Sequence, residues 1–545
     1  MTRALPEKRR TMKFLLNGIS LAFTESEGEF CRIAKSKMKR AADPAQFHFC
    51  VYKRSVDARK RDDIRFVCSV LAIAKTELSE RCVEKILANG FVKAPEDPSF
   101  EIFGKEKMNG RPLIVGCGPA GLFCALLLSE KGYRPIVIDR GGDVASRQAA
   151  YKKFCEEHIL DKENNIQFGA GGAGTFSDGK LTTRINDPYC SYVLEKLKEL
   201  GAPDDVTLKA KPHIGTDVLA VVVGNAVERI RANGGEVVFN CRYEGHTKRA
   251  DGSICAKTSI GDISCACIVL ALGHSARDTY TVLRKNGFTL EAKPFSVGVR
   301  IEHLREDIDR ALYGKHAGDA RLGAGEYNFS DTRQRGVYTF CMCPGGSVVA
   351  AATEDGGVVV NGMSSRGRDL INSNSAIAVT VLREDYGGTV ESAIAFQRQL
   401  ERAAFRAGGG DYRAPVQTVG DFLNGKHGTE PVRVQPSYMG GNNFTLASLS
   451  DHMPEFVSES LKRGIVSFGK RLAGFDSPDA VLTGFETRTS SPVRILREAE
   501  MTSISDPLVY PCGEGAGYAG GITSAAVDGL RIANSILCRF APMSE

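Results

Sequence analysis

Apolar positions along this chain fall into short runs separated by glycine-rich or charged stretches, and the runs predict strands and helices in alternation. In the first hundred residues, the stretches 12–23, 47–53 and 64–74 read as strands and 27–42 and 79–89 as helices, making a small α/β unit. Residues 93–109, with Pro95, Pro98 and several charges, read as a linker. An apolar run at 113–115, a glycine cluster, an apolar helix over 122–129 and a second run at 135–138 follow. Between 296 and 483 the pattern turns β-rich, as at 336–342, 347–353 and 357–362. Residues 484–545 return to strand, glycine turn and helix, with a strand at 507–511 and a helix at 522–537. One domain interrupted by an insertion accounts for that order, because the last strand and helix need the first sheet to sit on. The expected units are 1–108, 109–295, 296–483 and 484–545.

The stretch 112–141 holds every part of a nucleotide-binding βαβ unit in order. Gly116-x-Gly118-x-x-Gly121 follows the first strand at once, with Pro119 and Ala120 inside the motif, and Asp139 ends the second strand 18 residues after Gly121. Gly116 permits the tight turn, Gly118 lets backbone approach a pyrophosphate, and Gly121 lets helix pack on strand. The helix start offers free N–H groups to phosphates, and Asp139 is placed for ribose hydroxyls. Two other glycine motifs fail the same test. Gly169-x-Gly171-x-x-Gly174 is followed by TFSDGK, which forms no apolar helix, and Gly515-x-Gly517-x-x-Gly520 has no room after its helix for a second strand with an acid.

Composition narrows the class. The 545 residues are 42% hydrophobic and 25% charged, the balance of a globular protein with two or three domains. No apolar run is long enough to span a bilayer. The basic start, MTRALPEKRRTMKF, leads into LLNGISLAF, which is short, lacks a small-residue cleavage site and reads as a first strand rather than a signal peptide. Sixteen scattered cysteines point to a reducing cytoplasm. With no C-x-x-C and no H-x-x-x-H, metal chemistry is not indicated. The net charge of +6 is uneven: residues 1–108 hold 22 Lys/Arg against 15 Asp/Glu, concentrated at 32–40 and 53–65. That excess reads either as a solvated face or as a docking surface for an acidic partner or RNA. No stacking aromatics are interleaved with it, and DNA is not expected.

Three features favour FAD over a simple NAD site. Asp139 is followed by Arg140-Gly141, an ending similar to that which holds the adenosine of FAD. The strand 268–272 runs into Gly273-His274-Ser275, and Ala271 through Gly273 resembles the A-T-G motif near the flavin. The segment 510–522, with Gly513, Glu514, Gly521 and Ile522, resembles the C-terminal flavoprotein motif, in which an acid binds the ribityl chain and a helix start faces the flavin N1–C2=O edge. Further long motifs are NIQFGAGGAGTFSDGKLT from Asn165, KPHIGTDV from Lys211, ALGHSARDTY from Ala271, KPFSVGVRIEH from Lys293, YTFCMCPGG from Tyr338 and GFETRTSSPVRI from Gly484. Through them the chain resembles, over essentially its full length, the bacterial NAD(P)/FAD-dependent oxidoreductases (FAD-dependent dehydrogenases). That resemblance implies a glutathione-reductase-type FAD domain and bound FAD. Asp139 stands where flavoproteins often have Glu, one methylene longer.

The implied fold is α/β: a Rossmann-like FAD-binding domain interrupted by a β-rich substrate domain, with a small N-terminal α/β domain of ferredoxin-like type. In the loop 167–180, Gly171 and Gly172 leave backbone able to lie flat against a phosphate or flavin ring, while Gln167, Thr175, Ser177 and Lys180 add polar groups. A flexible surface loop is the other reading. The strand from Tyr338 places Tyr338, Phe340 and Met342 on one face and Cys341 and Cys343 on the other, as a cavity wall or as core. It loosely resembles the aromatic strand lining the cavity of geranylgeranyl-reductase-like flavoproteins. Cys341 and Cys343 are a candidate redox pair, although C-x-C spacing is poor for a disulfide, and His303, near Arg300 and Glu302, is a candidate acid. Arg488 and Arg494 either clamp an acidic substrate or pair with Glu486 and Glu498.

The expected activity is hydride transfer between flavin N5 and an organic substrate, as reduction of an activated C=C bond or the reverse dehydrogenation. With one complete nucleotide unit, NAD(P)H is expected to bind transiently as electron donor, or a protein donor replaces it. A flavin monooxygenase and an FAD protein acting on RNA or a protein through the basic N-terminal unit are the alternatives.

Overall fold

The computed structural model describes residues 12–96, 98–100, 102 and 104–542, so the basic leader at 1–11 lies outside the described residues. It is a mixed α/β fold with several sheets. At the N-terminal end, four antiparallel strands lie in the order Phe47–Asp57, Arg65–Ala74, Lys13–Ala22, Val92–Lys93. Arg65–Ala74 shows why: every second residue from Phe66 to Ala74 is buried, so one face of the sheet turns inward. The helices Glu27–Met38 and Glu80–Ala88 cover that face with Phe30, Ala34, Met38 and Ile86. Tyr313 and Leu322, from a distant part of the chain, complete this core. Many of the unit's charges are satisfied internally, as in the pairs Arg32–Glu29, Arg54–Glu27, Arg59–Asp57 and Arg65–Asp63.

The glycine motif sits on a five-stranded sheet, all parallel, in the order Val509–Pro511, Cys267–Leu270, Pro112–Val115, Ile136–Ile138, Glu236–Val238. Helices cover both faces of such a sheet, which is why its strands read PLIV, IVI and CIVL without alternation. The helix Pro119–Glu130 packs along the last helix, Ile522–Arg539, within one core. The linker is tied to that last helix, since Gly104 N–H donates to Leu537 O (3.2 Å) and Ala541 N–H to Glu106 O (2.9 Å).

A seven-stranded sheet fills the middle of the chain, with Phe295–Leu304 between Asn372–Val381 and Val481–Glu486. The central Phe295–Leu304 and its neighbour Val481–Glu486 cross the expected junctions at 295/296 and 483/484, so the insertion is sewn to the nucleotide domain by continuous strands. Two helices that the β-rich reading does not anticipate, Val390–Ala407 and Glu455–Gly469, flank this sheet. The first starts where Thr389 caps Ser392 N–H and buries Ala393, Ile394, Gln397, Leu400, Glu401 and Ala404 along one stripe. No helix of the described residues is long and apolar enough to cross a membrane.

Candidate functional site

The loops at the C-terminal ends of the parallel strands, where ligands of open α/β sheets bind, meet the seven-stranded sheet around one cleft of about 210 Å³. Gly116, Gly118, Pro119 and Ala120 line it from the first strand and helix. Close packing there admits only glycine: a Cβ on Gly116 would sit 2.2 Å from Ala271 O, and one on Gly121 1.9 Å from Gly116 O. Gly121 accordingly lies behind the cavity and fixes the helix rather than touching a ligand. Gly118 caps Pro119–Glu130 without a side-chain bond, and Gly521 likewise begins Ile522–Arg539. Two uncapped helix starts thus face one cavity, each a ready acceptor of negative charge.

Asp139 is buried at one end and already holds backbone. Its Oδ1 accepts from Gly141 N (2.9 Å) and Gly169 N (2.8 Å), and Oδ2 from Cys117 N (2.7 Å). Oδ2 accepts only that one bond, so with Asp139 at the cavity it keeps acceptor capacity for a ribose hydroxyl. The shorter acid therefore also clamps the glycine loop to the first strand. Arg140 lines the same end, but its guanidinium is forked by Glu163 (2.7 and 3.0 Å) and Asp278 (2.8 and 2.9 Å) and lies over the Phe168 ring. Arg242, which the sequence pattern does not single out, also lines this end and bonds Glu163 and Glu244.

In the glycine loop, Gln167, Gly172, Ser177 and Lys180 line the cavity. Gly171 and Thr175 do not. The Thr175 hydroxyl donates inward to Ala170 O (3.1 Å), and a Cβ on Gly171 would collide with it. Ala271, Gly273, Glu514, Gly521 and Ile522 line the cavity, whereas Gly513 packs on Ala120 and donates its N–H to Asp528 (2.7 Å). Glu514 has no hydrogen-bond partner among the described residues, and burial pushes its carboxyl up to about 7 against the pull of Lys293. A ribityl hydroxyl would satisfy that acid. The open acid, the lone pair on Asp139 and the two uncapped helix starts all fit FAD.

The far wall comes from the insertion. The expected alternation stops at Cys341, whose φ of 43° breaks the ladder between Phe340 and Cys343. Phe340, Cys341, Met342 and Cys343 consequently all line the cavity. Buried Arg300 holds the bulge, with all five guanidinium N–H groups engaged. They reach Cys341 O (2.9 Å), Asn374 (2.8 Å), Asn361 (2.9 Å) and both oxygens of Glu486 (2.6 and 3.2 Å). Cys341 is exposed at the cavity wall, and the surrounding protein pushes its thiol up to about 12, against Arg300. The Cys343 thiol is raised by burial too. Both are protonated at neutral pH, which argues against thiolate chemistry.

Two candidates fall outside the cavity. Tyr338 precedes the bulge, and its hydroxyl donates to Ser296. His303 is fully buried, with Nε2 2.8 Å from Phe475 O, and burial lowers its pKa, so it is a neutral packing group rather than an acid at the site. The arginine pairings also differ from expectation. Arg488 lines the cavity but pairs with Glu401 (3.0 and 3.1 Å), which Arg277 forks from the other side. Burial raises the Glu401 carboxyl, but Arg488 and Arg277 outweigh it and hold it far below the usual range. Arg494 lies over the Tyr518 ring and donates to Gly517 O. His274, also at the cavity, is lowered to about 3 by burial and by Arg488 and is neutral. Its place in the ALGHSARDTY motif was the available signal. Asn361 and Arg242 carried none.

Comparison with other proteins agrees with this chemistry. Residues 294–489 match the family model described as FAD-dependent protein, C-terminal domain-like. An uncharacterized protein of Clostridium beijerinckii is 47% identical over 497 residues, covering 90% of this chain and 92% of that protein. Among solved structures, CtdE in complex with FAD aligns at 12% identity over 79% of this chain and 84% of that one, with a TM-score of 0.32. The tetracycline destructase Tet(55) aligns at 12% identity over 79% and 81%, with a TM-score of 0.35. Likenesses at these scores carry no argument about activity.

Proposed function

The chain belongs to one family with the Clostridium beijerinckii protein and carries the C-terminal domain of FAD-dependent proteins; from that premise we propose hydride transfer to or from an organic substrate as the reaction of this FAD-dependent oxidoreductase. The carrying observation is the single cavity that joins the glycine motif, two uncapped helix starts and Glu514 to the insertion wall at Phe340–Cys343. Gly118 and Pro119 would hold the pyrophosphate, Asp139 the ribose, Glu514 the ribityl chain, and the start of Ile522–Arg539 the N1–C2=O edge. Bound FAD supplies the two-electron chemistry at N5.

The favoured direction is reduction of an activated C=C bond. In that direction bound FAD would pass a hydride taken from NAD(P)H, which would leave as NAD(P)⁺, to one alkene carbon, while the other would take a proton from the cavity wall. The wall excludes water with Phe340 and Met342 and presents the protonated Cys341 thiol, which suits proton donation better than nucleophilic attack. Arg300 fixes the bulge, so it positions Cys341 without touching substrate. The same reading takes the parallel sheet as a glutathione-reductase-type FAD domain, the N-terminal unit as ferredoxin-like and the cytoplasm, with sixteen free cysteines, as the compartment.

Purified protein is expected to be yellow with one FAD per chain. Anaerobic stopped-flow mixing with NADH and NADPH should bleach the flavin, and Cys341→Ala should leave that bleaching unchanged while slowing reoxidation by substrate. A colourless folded protein that takes up no FAD on reconstitution sinks the reading. Absence of bleaching with either nucleotide replaces NAD(P)H by a protein donor. Turnover that stops without oxygen replaces hydride transfer to substrate by monooxygenation.

A further inference from the structure

We propose that the insertion-side end of the cavity is a carboxylate-binding site, with Lys180 in its wall and the exposed Arg184 and Lys211 adding positive charge outside it, so that the organic substrate is an anion. The inference rests on the oxidoreductase reading, since it takes this end of the cavity as the substrate's path.

The local backbone places Lys180 beside the segment that carries Lys211. Residues 178–181 run beside 211–215: Lys180 bridges His213, Leu181 N–H donates to Pro212 O (3.0 Å) and Ile214 N–H to Gly179 O (3.0 Å). Lys180 lines the cavity, and its charge is felt by both thiols of the far wall, Cys341 and Cys343. Lys211 and Arg184 are exposed, and Arg184 lies near enough to Tyr338 to act on its hydroxyl.

The acids nearby are already taken. Arg368 forks Asp178 (2.9 Å at Nε) and pairs with Glu326 (2.6 Å). Asp205 is shared by Lys209 (2.8 Å) and Arg366 (2.5 Å). Lys180, Arg184 and Lys211 form no ion pair among the described residues. Two buried groups register the resulting positive field. Burial pushes the Glu326 carboxyl up, yet Lys180, Arg368 and Lys211 hold it at about 2. Burial and Arg368 lower His213 to about 4, against Asp178, so it stays neutral and adds no further charge.

Lys180 lines this wall without an ion pair of its own, so a ligand anion would complete its pairing. A nicotinamide ring presents an uncharged carboxamide to the flavin and carries its phosphates several bonds away. A small substrate with its carboxylate near the reacting carbons places its charge at this wall. Lys180 would then anchor it and stabilise negative charge developing on it, while Arg184 and Lys211 draw it in.

The test uses the FAD-loaded full chain, with benzoate as probe and uncharged benzamide as its control, read by perturbation of the flavin absorption bands. Benzoate is expected to bind at least about tenfold more tightly than benzamide, and Lys180→Met to weaken benzoate by about tenfold while leaving benzamide unchanged. Lys211→Met and Arg184→Met, both at exposed positions, should each weaken benzoate by about two- to fourfold and flatten its salt dependence. Equal binding of benzoate and benzamide overturns the proposal, as does benzoate binding unchanged in Lys180→Met. Slower flavin reduction by NADPH in that variant, with benzoate binding intact, assigns the cations to the nicotinamide's phosphates instead. Loss of FAD from Lys180→Met makes the lysine a cofactor ligand and also overturns it. Wild-type protein that takes up no FAD fails the underlying reading, and that is seen before any benzoate is added.

Discussion

The two ends of the cavity are finished to different degrees. At the Asp139 end, Asp139 accepts three backbone N–H groups, and Arg140 and Arg242 share Glu163 while bonding Asp278 and Glu244. At the insertion end Glu514 and Lys180 make no side-chain hydrogen bond or ion pair among the described residues, and meet Lys293 and Glu326 only through space. On the reading proposed above, the Asp139 end would always hold the same adenosine, and such an end can be preassembled from protein groups alone. An end that meets a ribityl chain and a changing substrate must keep acceptors and charges open, and those open groups are destabilising until they are filled.

Breaking the preassembled end should have the largest effect. Gly121→Ala places a methyl group 1.9 Å from Gly116 O, so either the strand or the helix must move and the start of Pro119–Glu130 leaves the pyrophosphate position. FAD affinity should fall by more than about 100-fold, measured as flavin retained through gel filtration and by titration of the stripped protein. Retention of FAD by a folded Gly121→Ala protein would mean that the glycine packing does not position the cofactor.

What was legible in the sequence follows the range of the interactions. The glycine motif and Asp139 act within thirty residues, so their spacing alone brings Gly116, Gly118 and Asp139 to one cavity. The helix Val390–Ala407 was equally local, with its Thr389 cap and apolar stripe, yet it was hidden within a stretch read as β-rich. Cys341 defeated the alternation rule, because that rule assumes an unbroken ladder and the bulge depends on Arg300 from another strand. The pairs Arg300–Glu486 and Arg277–Glu401 join residues 186 and 124 positions apart, which no local pattern reports. His303 looked available for chemistry because it is rare and polar; only the packing of Phe475 over it shows otherwise.

At the open end the cost should be visible in the pH dependence of the FAD-free protein. The Glu514 carboxyl is raised from 4.5 to about 7, so between those values the folded protein keeps a proton that the unfolded chain has released. Stability then falls as pH rises through that window, by about 2 kcal/mol from this group after allowance for relaxation. Thermal unfolding of the stripped protein at pH 5 and pH 8 should show the loss, and Glu514→Gln should remove it while weakening FAD binding. An identical pH response in wild type and Glu514→Gln would show that the acid is already satisfied, and the contrast between the two ends would narrow.

The smallest effect should come from a charge at the finished end. Arg140 lines the cavity, but its guanidinium already bonds four carboxylate oxygens, two on Glu163 and two on Asp278, so little of its donor capacity is left for a ligand. Arg140→Met removes the charge and leaves those acids near each other. Both are well exposed, at 39% and 51%, and Arg242 still holds Glu163, so water and salt screen the repulsion. The side chain also stacks on Phe168, a contact that the methionine thioether keeps in part. FAD affinity should change by less than about threefold in this variant, measured by fluorescence quenching of free FAD at moderate salt. A loss of about tenfold or more would put Arg140 on the cofactor itself, and the Asp139 end would then be as dependent on its ligand as the end where Glu514 and Lys180 wait.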